Sequence, residues 1–136
     1  MLIAAVDPGR DKCGCAVLAG DGSVLWQKVV VTKYLIEELG RQRAAHPFTV
    51  LVLGNGTTSA AAQKRIKRAL PELPLIVVDE YRTTELAKRE YWKAHPPTGW
   101  RRFLPVTMQV PPEPVDDFVA VLLGRRYIEK AGAAER

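Results

Sequence analysis

The chain has 136 residues, 47% of them hydrophobic and 26% charged, a balance that suits one folded domain with a real core and excludes two domains, disorder and low-complexity classes. Twenty Lys and Arg against 15 Asp and Glu give a net charge of +5 and a pI of about 9.4, which favours an anionic partner, with nucleic acid the first candidate. No apolar run approaches the roughly 18 residues of a membrane span, and Met1 to Val6 has no basic region ahead of its short apolar stretch, so a secreted or membrane protein is not expected.

Leu2 to Val6 is an unbroken apolar run stopped by Asp7-Pro8-Gly9, the pattern of a strand buried on both faces and closed by a turn. Cys13 to Leu18 forms a second apolar stretch, Gly20-Asp21-Gly22 a tight turn and Val24 to Val31 a third strand, together an antiparallel meander. Cys13 and Cys15 fall on the same strand face, too far apart for an easy bridge and without companions for a zinc site. They read as reduced core residues, which points to the cytoplasm. After Thr32, expected as an N-cap, Leu35, Ile36 and Leu39 recur at helical spacing as far as His46-Pro47.

Thr49 to Leu53 is again a strand, Gly54-Asn55-Gly56-Thr57-Thr58-Ser59 a small-residue loop, and Ala60 to Leu70 a helix. The unit recurs: Leu75 to Val78 as strand, Asp79 to Thr84 as polar loop, Glu85 to Lys93 as a short helix capped by Thr83 or Thr84. Such alternation implies parallel strands with right-handed crossovers. His95 to Pro114 holds six prolines, which exclude regular helix and suggest a surface flap. Val115 to Glu129 is a last amphipathic helix with Phe118, Val119, Leu122, Leu123 and Tyr127 as apolar positions, followed by a small-residue and charged tail. The expected class is α/β: a five-stranded mixed sheet, its first three strands antiparallel and the rest parallel, flanked by helices.

Acidic residues stand where strands end or helices begin: Asp7, Glu80, and Asp116 with Asp117. If the first strand and the strand ending at Val78 are neighbours, Asp7 and Glu80 leave the sheet at one edge, and a final helix packed across that edge brings Asp116 alongside. Carboxylates that close need a cation among them. With no imidazole or thiolate among the donors, Mg²⁺ or Mn²⁺ fits, and the reaction class is then phosphodiester hydrolysis. Each residue also has a plainer reading: Asp7 as a turn former, Glu80 as an exposed loop charge, Asp116 and Asp117 as helix caps. Candidate nucleic-acid contacts are Arg82, the aromatic and basic run Trp100-Arg101-Arg102, and Lys64 with Arg68 on a helix whose charge is otherwise a solvated face. The loop from Gly54 to Ser59 suits a phosphate cradle but lacks a P-loop ending, so nucleotide hydrolysis is not expected.

Ala5-Val6-Asp7-Pro8-Gly9 with Gly14-Cys15-Ala16-Val17, then Val52-Leu53-Gly54-Asn55-Gly56, Val78-Asp79-Glu80-Tyr81-Arg82-Thr83-Thr84 and Val115-Asp116-Asp117-Phe118-Val119-Ala120-Val121 resemble the RuvC/YqgF family of ribonuclease H-like nucleases. The resemblance runs over nearly the whole chain, residues 1–136 forming a single nuclease domain. It implies a ribonuclease H-like fold and a metal-dependent nuclease site with carboxylates on Asp7, Glu80 and Asp116, Asp117 being the alternative for the last. The YqgF branch is associated with maturation of the small-subunit ribosomal RNA precursor, the RuvC branch with resolving Holliday junctions. The Asp79-Glu80-x-Arg82-Thr83-Thr84 string is closer to the former, whereas Asp7-Pro8-Gly9 also occurs in the latter, for which paired cuts need a homodimer. The chain departs from the usual YqgF pattern at Lys12-Cys13-Gly14 and in the short Gly54-Asn55-Gly56 loop. A third reading keeps the fold as a non-catalytic nucleic-acid-binding module.

Overall fold

The computed structural model describes residues 1–79, 93–94 and 116–135, the side chains of 116 and 133–135 excepted. Within them β1 (Leu2–Asp7), β2 (Lys12–Ala19), β3 (Val24–Val31), β4 (Val50–Gly54) and β5 (Leu75–Val78) form one sheet in the spatial order β3-β2-β1-β4-β5. The helices are α1 (Leu35–Ala45), α2 (Ser59–Ala69) and α3 (Asp116–Glu135). The pairs β1–β2 and β2–β3 are antiparallel, while β1–β4 and β4–β5 are parallel, the mixed sheet expected from the sequence.

The β2–β3 connection is tight because Gly22 takes a positive φ of 91°, a conformation open to glycine at little cost. Asp21 stiffens it by accepting from the Ser23 backbone N–H at 2.9 Å and the Ser23 hydroxyl at 2.6 Å. Those two bonds hold its carboxyl below its ordinary range. From β3 the chain steps over β2 and β1 to β4, then onward to β5. Both crossovers move the same way across the sheet, so right-handedness places α1 and α2 on one face. That leaves the other face to α3.

Two cores result. Ala4, Val6, Cys13, Cys15, Val17, Leu51 and Leu53 pack under Leu35 and Leu39 of α1 and Ala62 and Ile66 of α2. Ile3, Ala5, Ala16, Leu18, Val50, Val52 and Val78 pack under Val119, Ala120, Val121 and Leu123 of α3. The central β1 is buried on both sides, which is why it reads as a continuous apolar run. The two cysteines are free thiols in the first core, as expected.

Three expectations need correction. Thr32 does not cap α1. It opens a turn of 3-10 helix, Thr32–Tyr34, and no side chain caps either that turn or α1; the Thr32 hydroxyl donates instead to the Gly9 carbonyl at 2.9 Å. The last helix does not stop at Glu129 but runs to Glu135, since the alanine-rich stretch beyond it has high helix propensity and no proline interrupts it. Finally, β1 and β5 are not neighbours: β4 lies between them. The helix expected over Glu85–Lys93, its Thr83 or Thr84 cap and the proline-rich stretch fall outside the described residues apart from Lys93. Among the described residues no helix is long and apolar enough to cross a membrane.

Candidate functional site

The pleat of β1 decides where Asp7 faces. Ile3 and Ala5 lie in the core under α3, while Ala4 and Val6 lie in the core under α1 and α2. Alternation therefore puts Asp7, half-buried, on the α3 side at the C-terminal edge of the sheet. Its partner across the β1–β2 ladder is Gly14. On the other side the register that pairs Val6 with Leu53 brings Asp7 level with Gly54, and Gly54 pairs with Val78 of β5. Asp7 is thus flanked by two glycines, both buried, so neither neighbouring strand places a side chain beside it.

The loop after Asp7 is held from two sides. The Thr58 hydroxyl donates to the Pro8 carbonyl at 2.9 Å, and the Thr32 hydroxyl to the Gly9 carbonyl while the Thr32 N–H donates to the Asp11 carbonyl at 2.9 Å. At Gly9 a Cβ would stand 2.1 Å from the Lys12 carbonyl oxygen, so any larger residue would force the loop to rebuild. In the Gly54–Ser59 loop, Thr58 is thus an anchor for Pro8, and the Ser59 N–H is taken by the Gly56 carbonyl at 3.0 Å.

Asp117 stands at the start of α3. Its Oδ1 accepts from the Phe118 N–H and its Oδ2 from Gln27 Nε2, both at 3.0 Å. Gln27 is level with Ala16 and Ala5, so this contact seats the helix start over β3, two strands from β1. Asp7 and Asp117 share a sheet face, yet among the described residues no group of three metal-ligating side chains is brought together. Glu80 and the Asp116 side chain lie outside the described residues, as do Arg82, Trp100, Arg101 and Arg102. The chain is nevertheless followed to Asp79, the residue after β5, whose carbonyl accepts from the Arg126 guanidinium of α3. The C-terminal end of β5, followed by Asp79, therefore lies at the same edge as Asp7, with β4 intervening.

Among the described residues the carboxylates on this face are those of Asp7 and Asp117. Cys13 and Cys15 point the opposite way, and burial first, then the adjacent Cys13, pushes the Cys15 thiol far above its ordinary value of 9.0. A donor set of carboxylates without thiolate or imidazole fits a hard divalent cation such as Mg²⁺ or Mn²⁺.

No protein-family model and no curated protein matches the chain. Among solved structures it is similar to the Thermus thermophilus RuvC structure, with a TM-score of 0.59 at 15% identity over 98% of this chain and 95% of that one. The fold is ribonuclease H-like. More distant are a ROK hexokinase from Thermus thermophilus (TM-score 0.47, 17% identity, 66% of this chain and 39% of that one) and a ROK-family transcriptional regulator homologous to the E. coli MLC protein (TM-score 0.46, 15% identity, 66% and 30%).

In this ribonuclease H-like frame, Lys64 and Arg68 are exposed on α2 and line, with Arg65 and Ile36, a concavity of about 350 Å³ on the outer side of α1 and α2. They are on the face opposite Asp7. Residues that sequence reasoning missed are Gln27, Thr32 and Thr58 as anchors. For Gln27 there was a signal, since it is the polar residue set among valines, leucine and tryptophan in Val24–Trp26 and Val29–Val31. The two threonines carried none, because their acceptors are backbone carbonyls 23 and 50 residues away.

Proposed function

We propose that residues 1–136 form a single, cytoplasmic, divalent-metal-dependent nuclease domain in which Asp7, Glu80 and Asp116 hold Mg²⁺ or Mn²⁺ and phosphodiester bonds of nucleic acid are hydrolysed. The observation that carries this reading is the setting of Asp7. It ends the central strand half-buried, between two glycines, at the edge where β5 leads into Glu80. Asp116 is preferred to Asp117 as the third ligand because both Asp117 oxygens already accept from Gln27 and Phe118.

When bound, the ion supplies positive charge to the phosphate oxygens and lowers the pKa of an attacking water. The protein's part is to hold Asp7 still through the Thr32 and Thr58 anchors of its loop. Arg82, Trp100, Arg101 and Arg102 are assigned to contacts with the nucleic acid through phosphate pairing and base stacking. The Asp79-Glu80-x-Arg82-Thr83-Thr84 string supports structured RNA, such as the small-subunit ribosomal RNA precursor, as substrate. A second reading, cleavage of branched DNA by a homodimer, is supported by the end-to-end likeness to the Thermus RuvC structure.

The test is a cleavage panel of structured RNA, duplex DNA and four-way DNA with Mg²⁺ or Mn²⁺, run with the native chain and Asp7→Asn. The variant should fold, by circular dichroism, and lose divalent-dependent cleavage. Undiminished cleavage by Asp7→Asn overturns the assignment, and cleavage confined to four-way DNA by a dimer in sedimentation selects the second reading.

A further inference from the structure

We propose that Arg10, Lys33 and Arg65, continued by Lys64 and Arg68, form a phosphate track that carries the sugar-phosphate backbone of a nucleic-acid strand to the sheet edge where Asp7 stands. The inference rests on the reading that the partner is nucleic acid and adds the path that partner takes. Arg10, Lys33 and Arg65 line a concavity of about 330 Å³ with Thr32, Val31 and Asp11. Arg65 also lines a second concavity with Lys64 and Arg68, so the two share one arginine.

Two of the cations are held by contacts of their own. Arg65 is half-buried and its Nη1 donates to the Thr32 carbonyl at 3.1 Å, while Lys33 Nζ sits 5.1 Å from the centre of the Tyr34 ring. Among the described residues the ion pair is Arg41 with Glu38, and none of the five track cations has a carboxylate partner. Asp11, exposed on the rim, is the one acid lining either concavity. Lys64 and Arg68 are one helical turn apart and face the same way. Arginine forks pair with phosphate oxygens two at a time, which suits Arg65 in the middle of the track and Arg10 at its end nearest Asp7.

The link to the site is the loop after β1. Arg10 follows Asp7 by three residues, so the two backbones are within about 11 Å of each other. Thr32 bonds both the Gly9 carbonyl of that loop and, through its own carbonyl, Arg65. One anchor therefore sets Asp7's loop and the middle of the track together. An anionic strand lying along α2 and past Lys33 would reach the C-terminal edge of β1 from the α1 and α2 side.

The test is equilibrium binding of a labelled structured RNA and a labelled four-way DNA, in chelator so that nothing is cut, over a series of salt concentrations. The variants are Arg10→Ala with Lys33→Ala, Lys64→Ala with Arg68→Ala, and an off-track control of equal charge, Lys28→Ala with Lys130→Ala, both exposed and lining neither concavity, with circular dichroism confirming each fold. Each track pair should weaken binding about tenfold or more at low salt and lower the slope of log K against log salt by about 1.4 to 1.8, the value for two lost phosphate contacts. Native-like affinity and slope in the track variants, or an equal loss in the control, overturns the track. So does a native chain that binds neither nucleic acid, one in which inorganic phosphate alone occupies the concavity, or one in which an acidic peptide binds with the same residue dependence. The two readings fail separately: lost cleavage in Asp7→Asn with normal binding by the track variants leaves the nuclease without the track. A native chain that cuts nothing while the track variants bind weakly leaves the track without the nuclease.

Discussion

The two faces of the sheet are built from the same strands and differ in what they can do. Toward α1 and α2 the strands send Ala4, Val6, Cys13, Cys15, Val17, Leu51 and Leu53, an apolar layer that ends in inert thiols. Toward α3 they send Ala5, Ala16 and Gly14 beside Asp7, with Gln27 on β3 reaching Asp117. Small residues let α3 lie close: at Gly124 a Cβ would come within 2.8 Å of a Leu18 methyl and 3.4 Å of the Ala5 Cβ. Cys13-Gly14-Cys15 shows the difference in three residues, since the pleat turns both sulfurs away from the carboxylate and the hydrogen of glycine toward it. Had the register slipped by one, a thiol would stand beside Asp7 and the donor set would suit a softer metal.

The contrast can be broken or sharpened in order of expected effect. Leu53→Ala and Leu123→Ala each empty a fully buried site, one in each core, and each should cost about 2 to 5 kcal/mol by denaturant titration. At temperatures where both variants are folded, the α3-side change should also depress metal-dependent cleavage more than its counterpart; equal depression would mean the faces are not functionally distinct. Gly124→Ala sets a methyl within 2.8 Å of a Leu18 methyl, so an overpacking cost of about 1 to 3 kcal/mol stands against the roughly 1 kcal/mol that alanine gains over glycine inside a helix; a net gain in stability would show that α3 packs less closely than described.

The third prediction concerns the other face. Because burial raises the Cys15 thiol above its ordinary value of 9.0, the folded chain keeps its proton where the unfolded chain releases it. This contribution is therefore fully present below pH 9 and declines as pH rises past it, by up to about 1.4 kcal/mol per pH unit. Urea titrations of the native chain and Cys15→Ala across that range should diverge, and parallel curves would mean the thiol is not buried as described. Ellman's reagent should react with Cys13 and Cys15 only on unfolding.

Much of the fold was legible from hydrophobic runs and turn residues, because β1 and β4 are apolar on both sides and the Gly20-Asp21-Gly22 turn leaves the meander little choice. The limits of the last helix were not, since the alanine-rich stretch after Glu129 resembles a loose tail in composition while having high helix propensity. Asp7 was legible as a candidate from its place at a strand end, and so were Lys64 and Arg68 as a charge run. Arg65 belonged to that run, but Arg10 and Lys33 were not legible, because they stand on other segments and meet Arg65 only through Thr32.

Among the described residues the sequence by itself determined which segments are strands and helices, though not all of their limits, and that Asp7 ends the first strand, since these follow from short-range periodicity and backbone preference. Tertiary structure decided that β4 separates β1 from β5, that Asp117 is occupied by Gln27, and that the thiols and Asp7 are divided by the sheet. Those outcomes depend on crossover direction and on contacts between residues up to 90 positions apart, which no local pattern encodes.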